Sequence, residues 1–226
     1  MKPRRWLLSI LWLGMALVLV GCAKIHVTTK INSDGSGENV VSIGLDTRQV
    51  EQGSILWTSL SVNVQDAVKA GAQAQEWREG RYEGYKLTYR FASLDKMSES
   101  LVQSTTSRDA WGMFTEVNAS MNDEKGIRFS AKGDFTNIIA MGHELSFTLI
   151  TPGRIVTYTE QLAATQPSPN QITWDIMKLQ GKRVELTAVS EPQKATDFLL
   201  YFGVLAACLI VIVVILVLRK ARQRAH

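Results

Sequence analysis

Cysteine is almost absent from these 226 residues: Cys22 and Cys208 are the whole complement. Residues 23–197 therefore hold no disulfide, no thiolate nucleophile and no cysteine-based zinc site. Histidine is nearly as scarce, with His26, His143 and the tail residue His226. No histidine pair stands at i, i+4, and neither His26 nor His143 has a carboxylate at a recognisable spacing, so each reads as a solvated or strand-edge side chain. G-x-S-x-G and phosphate-cradling glycine loops are missing, and the one S-x-x-K match, Ser93 to Lys96, opens the expected helix that Ser93 caps. Asn32, Asp34 and Ser36 have the spacing that opens a calcium loop, but Ile43 stands at the twelfth position, where a bidentate acid is needed. The adjacent acids Asp123 and Glu124 read as a surface charge cluster in a turn. These absences point away from an enzyme and name no metal and no cofactor.

A concentrated basic surface is lacking too, although the formal charge is +4. Seven of the 25 basic residues lie in the first five or last eight positions, leaving 18 against all 21 acidic ones in residues 23–197, a net of −3. That region is mildly acidic with no basic stripe, which excludes nucleic acid as a partner.

What the chain has is apolar sequence at both ends. Residues 198–218 (FLLYFGVLAACLIVIVVILVL) contain no charge and as a helix would cover about 30 Å, the thickness of a bilayer's hydrocarbon core. The tail 219–226 brings Arg219, Lys220, Arg222 and Arg224, so a transmembrane helix here predicts a cytoplasmic C-terminus and an extracytoplasmic domain before it. At the start, Lys2, Arg4 and Arg5 precede an apolar stretch too short to span comfortably, and small residues follow. Residues 1–21 thus read as a secretory signal peptide, and KPRRWLLS is a poor match to a twin-arginine signal.

Leu19-Val20-Gly21-Cys22 at the end of that signal resembles the lipobox of bacterial lipoproteins. The resemblance implies a diacylglyceryl group on the Cys22 thiol, cleavage before Cys22, and a mature chain held in the cell membrane by lipid as well as by its helix. Only Ala23 separates Cys22 from the first strand-like stretch. The linker 191–197 can reach at most roughly 25 Å. These spacings predict that the first strand leaves the membrane, that the last returns to it, and that both ends of the domain lie on one side.

Between the anchors, residues 22–190 read as one α+β domain, long enough for a core without staples. Alternation places Ile25, Val27, Thr29 and Ile31 on one face of a first strand, and Val41, Ile43 and Leu45 on a second, with a turn at 32–37 between them. Residues 46–60 have no clean period. Within them Ile55-Leu56-Trp57 is either core or a membrane-facing loop. Leu60, Val64, Ala67 and Val68 predict a helix over 60–70 ended by Gly71. A turn at 78–80 leads to the clearest strand, 82–91. Ser93 then caps a second short helix with Leu94, Met97 and Leu101 inward. Strands follow at 111–118, 126–132, 145–150, 154–160, 171–177 and 184–189, with an apolar irregular stretch at 135–142 that holds Ile138, Ile139 and Met141, and a polar loop at 161–170. The sum is a curved, mainly antiparallel sheet with about two helices on one face, plus the C-terminal transmembrane helix.

The order of these features resembles the LppM-like domain family of bacterial lipoproteins: a lipobox, Gly35-Ser36-Gly37 after a first strand, a strand centred on Gly84, Ser93-Leu94 opening a helix, Pro152-Gly153 after a strand, Asn170 to Trp174 (NQITW) opening another, and a C-terminal membrane helix. The resemblance covers about residues 19–220 and implies an envelope-facing domain shaped to hold lipid or glycolipid. No catalytic residue transfers. Two functions follow as expectations. In one, Ile55, Leu56, Trp57, Ile138, Ile139 and Met141 line a site for an acyl or glycolipid moiety. In the alternative, the same side chains form a patch for a membrane protein partner and the domain is a scaffold.

Overall fold

A computed structural model describes residues 22–105, 114–122, 126–136, 142–160 and 163–192. All fall in the first of two compact units, which ends at Pro192. The signal stretch 1–21, the apolar run 198–218, and Ile138, Ile139 and Met141 lie outside the described residues. Among the described residues no helix is long and apolar enough to cross a membrane.

The first hairpin forms as its alternation predicts. β1 (Ala23–Ile31) and β2 (Gly37–Asp46) pair antiparallel, Val27 opposite Val41. Between them Gly35 takes φ +82°, the left-handed conformation a glycine adopts without strain. The helix α1 (Ile55–Lys69) starts earlier than its apolar period indicates, because Ser54 caps it by accepting from Trp57 N–H at 3.4 Å. Ile55, Leu56 and Trp57 are therefore its first turn and not a loop. Gly71, at φ +99°, follows its end. β3 (Gln73–Glu79) occupies sequence expected to be a turn and its approach, and pairs with β4 (Tyr82–Phe91). α2 (Leu94–Thr105) buries Leu94, Met97 and Leu101 as predicted.

The remaining elements are β5 (Glu116–Met121), β6 (Ile127–Asp134), β7 (Gly142–Ile150), β8 (Ile155–Tyr158), β9 (Ala164–Ser168), β10 (Gln171–Asp175), a 3₁₀ turn (Ile176–Leu179) and β11 (Arg183–Ser190). β5 lies later than the expected 111–118, whose first three residues are outside the described set. β9 forms inside the expected polar loop, against β10. In place of one curved sheet the described residues form two. The larger runs β3-β4-β2-β1-β7-β10-β9 and the smaller β5-β6-β11-β8. Every described pairing is antiparallel except β1 with β7.

Both sheets share one core. The inner face of the larger sheet carries Ile25, Val27, Thr29 and Ile31, then Phe147 and Trp174, all buried. Phe147 stacks on Trp174 within that sheet (5.7 Å, 15°) and on Phe129 of the smaller one (5.7 Å, 22°), while Phe114 meets it edge-on at 5.0 Å. Toward the β3 edge, α1 and α2 take over the covering of β3, β4 and β2. One polar link crosses this core: Thr29 donates to Asn39 at 2.8 Å, and Asn39 Nδ2 donates to Ser100 Oγ on α2 at 3.1 Å. Each partner satisfies the other, which removes most of the cost of burying them.

The chain ends of the domain correct the expectation that both lie on one side. Ala23 pairs with Gly142 at the start of β7, and Lys30 with Ile150 at its end. The exit residue Ser190 pairs with Ile155, five residues past Ile150, and Glu191 N–H donates to Arg154 O at 2.8 Å. Ser190 Oγ also accepts from Ile127 N–H, beside the hairpin tip where Gly35 meets Met121. The entry at Cys22 and the exit after Ser190 are thus at opposite ends of a strand of nine residues, roughly 26 Å apart along its axis. β11 rises with β1 instead of returning beside it, because β10 has already brought the chain back.

Candidate functional site

The Cys22 end holds two of the domain's buried charged side chains, Asp46 and Lys24. β2 finishes at Asp46, whose N–H donates to Cys22 O at 2.7 Å and whose Oδ1 accepts from Arg48 N–H at 3.0 Å. Asp46 is fully buried. Arg81 Nε stands 3.0 Å from its Oδ2 and neutralises it, yet that oxygen accepts no aligned hydrogen bond. The attraction between the two charges persists without that alignment, since it falls slowly with angle. Burial, and then the Asp46 charge, push the Cys22 thiol above its ordinary value.

Beside this end, α1 and the β3–β4 hairpin enclose a groove of about 430 Å³. From α1 and its approach come Gln52, Trp57 and Ser61. From the hairpin come Glu76, Arg78, Glu83 and Tyr85, whose register puts them on the inner face. Gln52 Nε2 reaches Glu83 Oε2 at 3.5 Å, and Arg78 Nε lies 3.7 Å from Glu83 Oε1. Among the described residues, Trp57 Nε1–H is buried with no acceptor. A buried donor of this kind is costly unless something accepts from it. Glu83 pairs with Leu45, and Leu45 with Ala23. Two strand spacings, about 10 Å, therefore separate the groove's floor from the strand that follows Cys22.

The outer face of the same strands holds a second cluster. Lys24, only 8 % exposed, bridges Glu79 at 2.7 Å and Glu144 at 3.0 Å. Burial lowers its affinity for the proton, but the hydrogen bonds to both carboxylates outweigh that and raise its pKa. Directly across the β1–β7 pairing, His26 Nδ1 meets Ser146 Oγ at 2.5 Å, and the Trp77 ring stands edge-on to the imidazole. Burial first, and then the Lys24 charge, hold His26 below its ordinary value of 6.5. Trp77 can lie flat there only because Gly44 leaves room; a Cβ on Gly44 would come within 2.5 Å of the ring.

Of the side chains singled out in the sequence, Cys22 and Trp57 come to the same end of the fold. Ile55 is 85 % exposed, whereas Leu56 and Trp57 are half-buried against the core. In the groove two glutamates, an arginine and a glutamine alternate with the aromatic rings. Asp34 spends its carboxylate on Ser36 N–H and Oγ, as a plain turn does. No metal-holding group of three or more His, Cys, Asp or Glu occurs among the described residues. Sequence reasoning missed the Lys24–Glu79–Glu144 bridge and the His26–Ser146 contact. Alternation puts Lys24 and His26 on one face, but their partners depend on the registers of β3 and β7.

The two packed sheets with helices on one shared face define an α+β domain. No family profile matches the sequence, and no curated protein matches it. Among solved structures, the folded domain of Mycobacterium tuberculosis LppM, determined by NMR, is similar to this chain at 8 % identity, over 78 % of this chain and 93 % of that one, with a TM-score of 0.46. This is a distant likeness of chain trace and transfers no residue role, ligand or location.

Proposed function

We propose that this chain is a non-catalytic lipoprotein of the cell envelope, anchored through Cys22 and residues 198–218, whose extracytoplasmic domain holds the headgroup of a membrane glycolipid in the groove between α1 and β3–β4. The observation that carries this reading is the groove's chemistry. Two aromatic rings, and the carboxylates of Glu76 and Glu83 beside Arg78 and Gln52, suit a polyhydroxylated group. An acyl chain laid there would strip water from charged side chains without replacing it. Position supports the same reading, because the groove sits at the end that carries Cys22.

The His26–Ser146 pair does not favour a hydrolase. Glu79 and Glu144, the carboxylates near enough to orient the imidazole, are taken by Lys24. His26 and Ser146 also sit within a paired β1–β7 ladder, where backbone N–H groups serve the sheet and not an oxyanion.

Native mass spectrometry of the full mature chain, extracted in mild detergent, tests the proposal. The wild-type protein is expected to carry a sugar-bearing lipid adduct that Glu83→Gln, which keeps the side chain's size but removes its charge, retains less well. A clean wild-type mass would sink the glycolipid reading.

A further inference from the structure

The domain's two chain ends are about 26 Å apart along β1, yet the chain beyond it is short. Seven residues, 191–197, separate the last strand from the apolar run, and fully extended they reach at most roughly 25 Å. At the other end Cys22 has no slack, since β1 begins at Ala23. A bilayer that takes both the Cys22 acyl chains and residues 198–218 is therefore met most easily along a side of the domain.

One side is suited to it. α1 starts at the Cys22 end, where Gln52 meets Glu83, and finishes before Gln73, whose partner Thr88 faces Val40 and then Thr28. The helix thus advances in the direction of β1. Ile55, Val62 and Val68 on α1 make up three of the four exposed large hydrophobic side chains among the described residues, at 85 %, 50 % and 47 %. Ile55 and Val62, two turns apart, share a face opposite the buried Leu60 and Val64. No charge occurs in α1 before Asp66. The first three turns of that face are therefore uncharged, whereas exposed helix faces ordinarily carry charged residues; its last turn carries Asp66 and Lys69, paired at 2.9 Å.

We propose that the outward face of α1 rests on the lipid bilayer, with Ile55 and Val62 at the boundary between headgroups and acyl chains. The proposal relies on the anchoring at Cys22 and 198–218 but not on the groove's ligand. It also leaves the groove opening beside the membrane surface from which a headgroup would come.

The test uses the full mature chain in a Cys208→Ala background, with bimane attached at Ile55→Cys, Val62→Cys or Lys30→Cys, in phosphatidylglycerol vesicles with and without lipid bearing a headgroup-level nitroxide. Lys30 is exposed on the outer face of β1 and serves as the opposite side. An apolar helix face settles about 5–10 Å into the interface, so labels at 55 and 62 are expected to lose about twofold or more of their emission while the label at 30 loses little. Equal or stronger quenching at 30, or none at 55 and 62, would overturn the proposal, the latter pointing to a protein partner for this face. Intact mass of the same preparation reads acylation of Cys22 separately. A missing acyl mass would fail the anchoring reading while the quenching pattern still reports which surface meets lipid.

Discussion

The two faces of the seven-stranded sheet are built from alternate residues of the same strands and are held in different ways. Inward, Ile25, Val27, Phe147 and Trp174 form a dry layer in which the loss of any volume is felt. Outward, Lys24, His26, Tyr82, Glu144 and Ser146 make a layer of paired polar groups, with Trp77 set over Gly44. The glutamate partners of Lys24 are half-exposed, so water screens what the charges contribute. On the inner face stability resides in shape. On the outer face it resides in how closely backbones approach and in which groups stay neutral.

That contrast can be broken most sharply at Phe147. Phe147→Ala removes the ring that three aromatic partners touch and is expected to cost about 3–5 kcal/mol in urea unfolding. A loss below about 1 kcal/mol would show that the two sheets do not share a core. Next comes Gly84 on the outer side, where a Cβ would stand 2.1 Å from Ile43 O, a backbone atom that cannot step aside. Gly84→Ala should cost about 1–3 kcal/mol by forcing β4 from β2, read in the same unfolding experiment. A neutral result would mean that backbone approach is not what the outer face depends on.

The smallest effect expected is that of pH at His26. Its folded-state pKa lies below 6.5, so the unfolded chain binds the proton more readily. The stabilisation is complete above that value and is lost as pH falls through the depressed one. Lys24, Glu79 and Glu144 face the ring, and the carboxylates partly offset the shift. The drop in Tm between about pH 7 and about pH 5.5 should shrink in His26→Gln, which keeps a partner for Ser146. An unchanged drop would place the titration elsewhere.

Much of this fold is legible in the sequence where one face is buried and the other wet. β1, β2 and β4 alternate strictly, and α2 shows its three inward side chains. β3 was hidden because it is an edge strand with one half-buried residue, Trp77, and nothing to mark a buried side. β9 was hidden for the same reason, with Pro167 inside it. The second sheet could not be separated from the first, since alternation reports that a strand has a buried face and not which sheet supplies its neighbours. At the site, Trp57 was visible as part of an apolar triplet, but Glu76, Arg78 and Glu83 were not, because they converge only through the β3–β4 register. The opposite placement of the chain ends does not follow from the expected strands, because β10 is among them at 171–177 but nothing in the alternation shows that β7 runs parallel to β1.

The one parallel pairing among the described strands has a consequence for the order in which the chain can fold. His26 and Ser146 sit side by side but are 120 residues apart in sequence. The hairpins of β1, β2, β3 and β4 are local and can close as soon as they are made, whereas β7 and the smaller sheet arrive long afterwards. Closing so long a loop is slow relative to forming a hairpin. A chain emerging amino-terminus first must therefore hold a half-built sheet with Ile25 and Val27 uncovered until its second half is delivered. During that interval the free edge of β1 is the strand most open to pairing with the wrong partner.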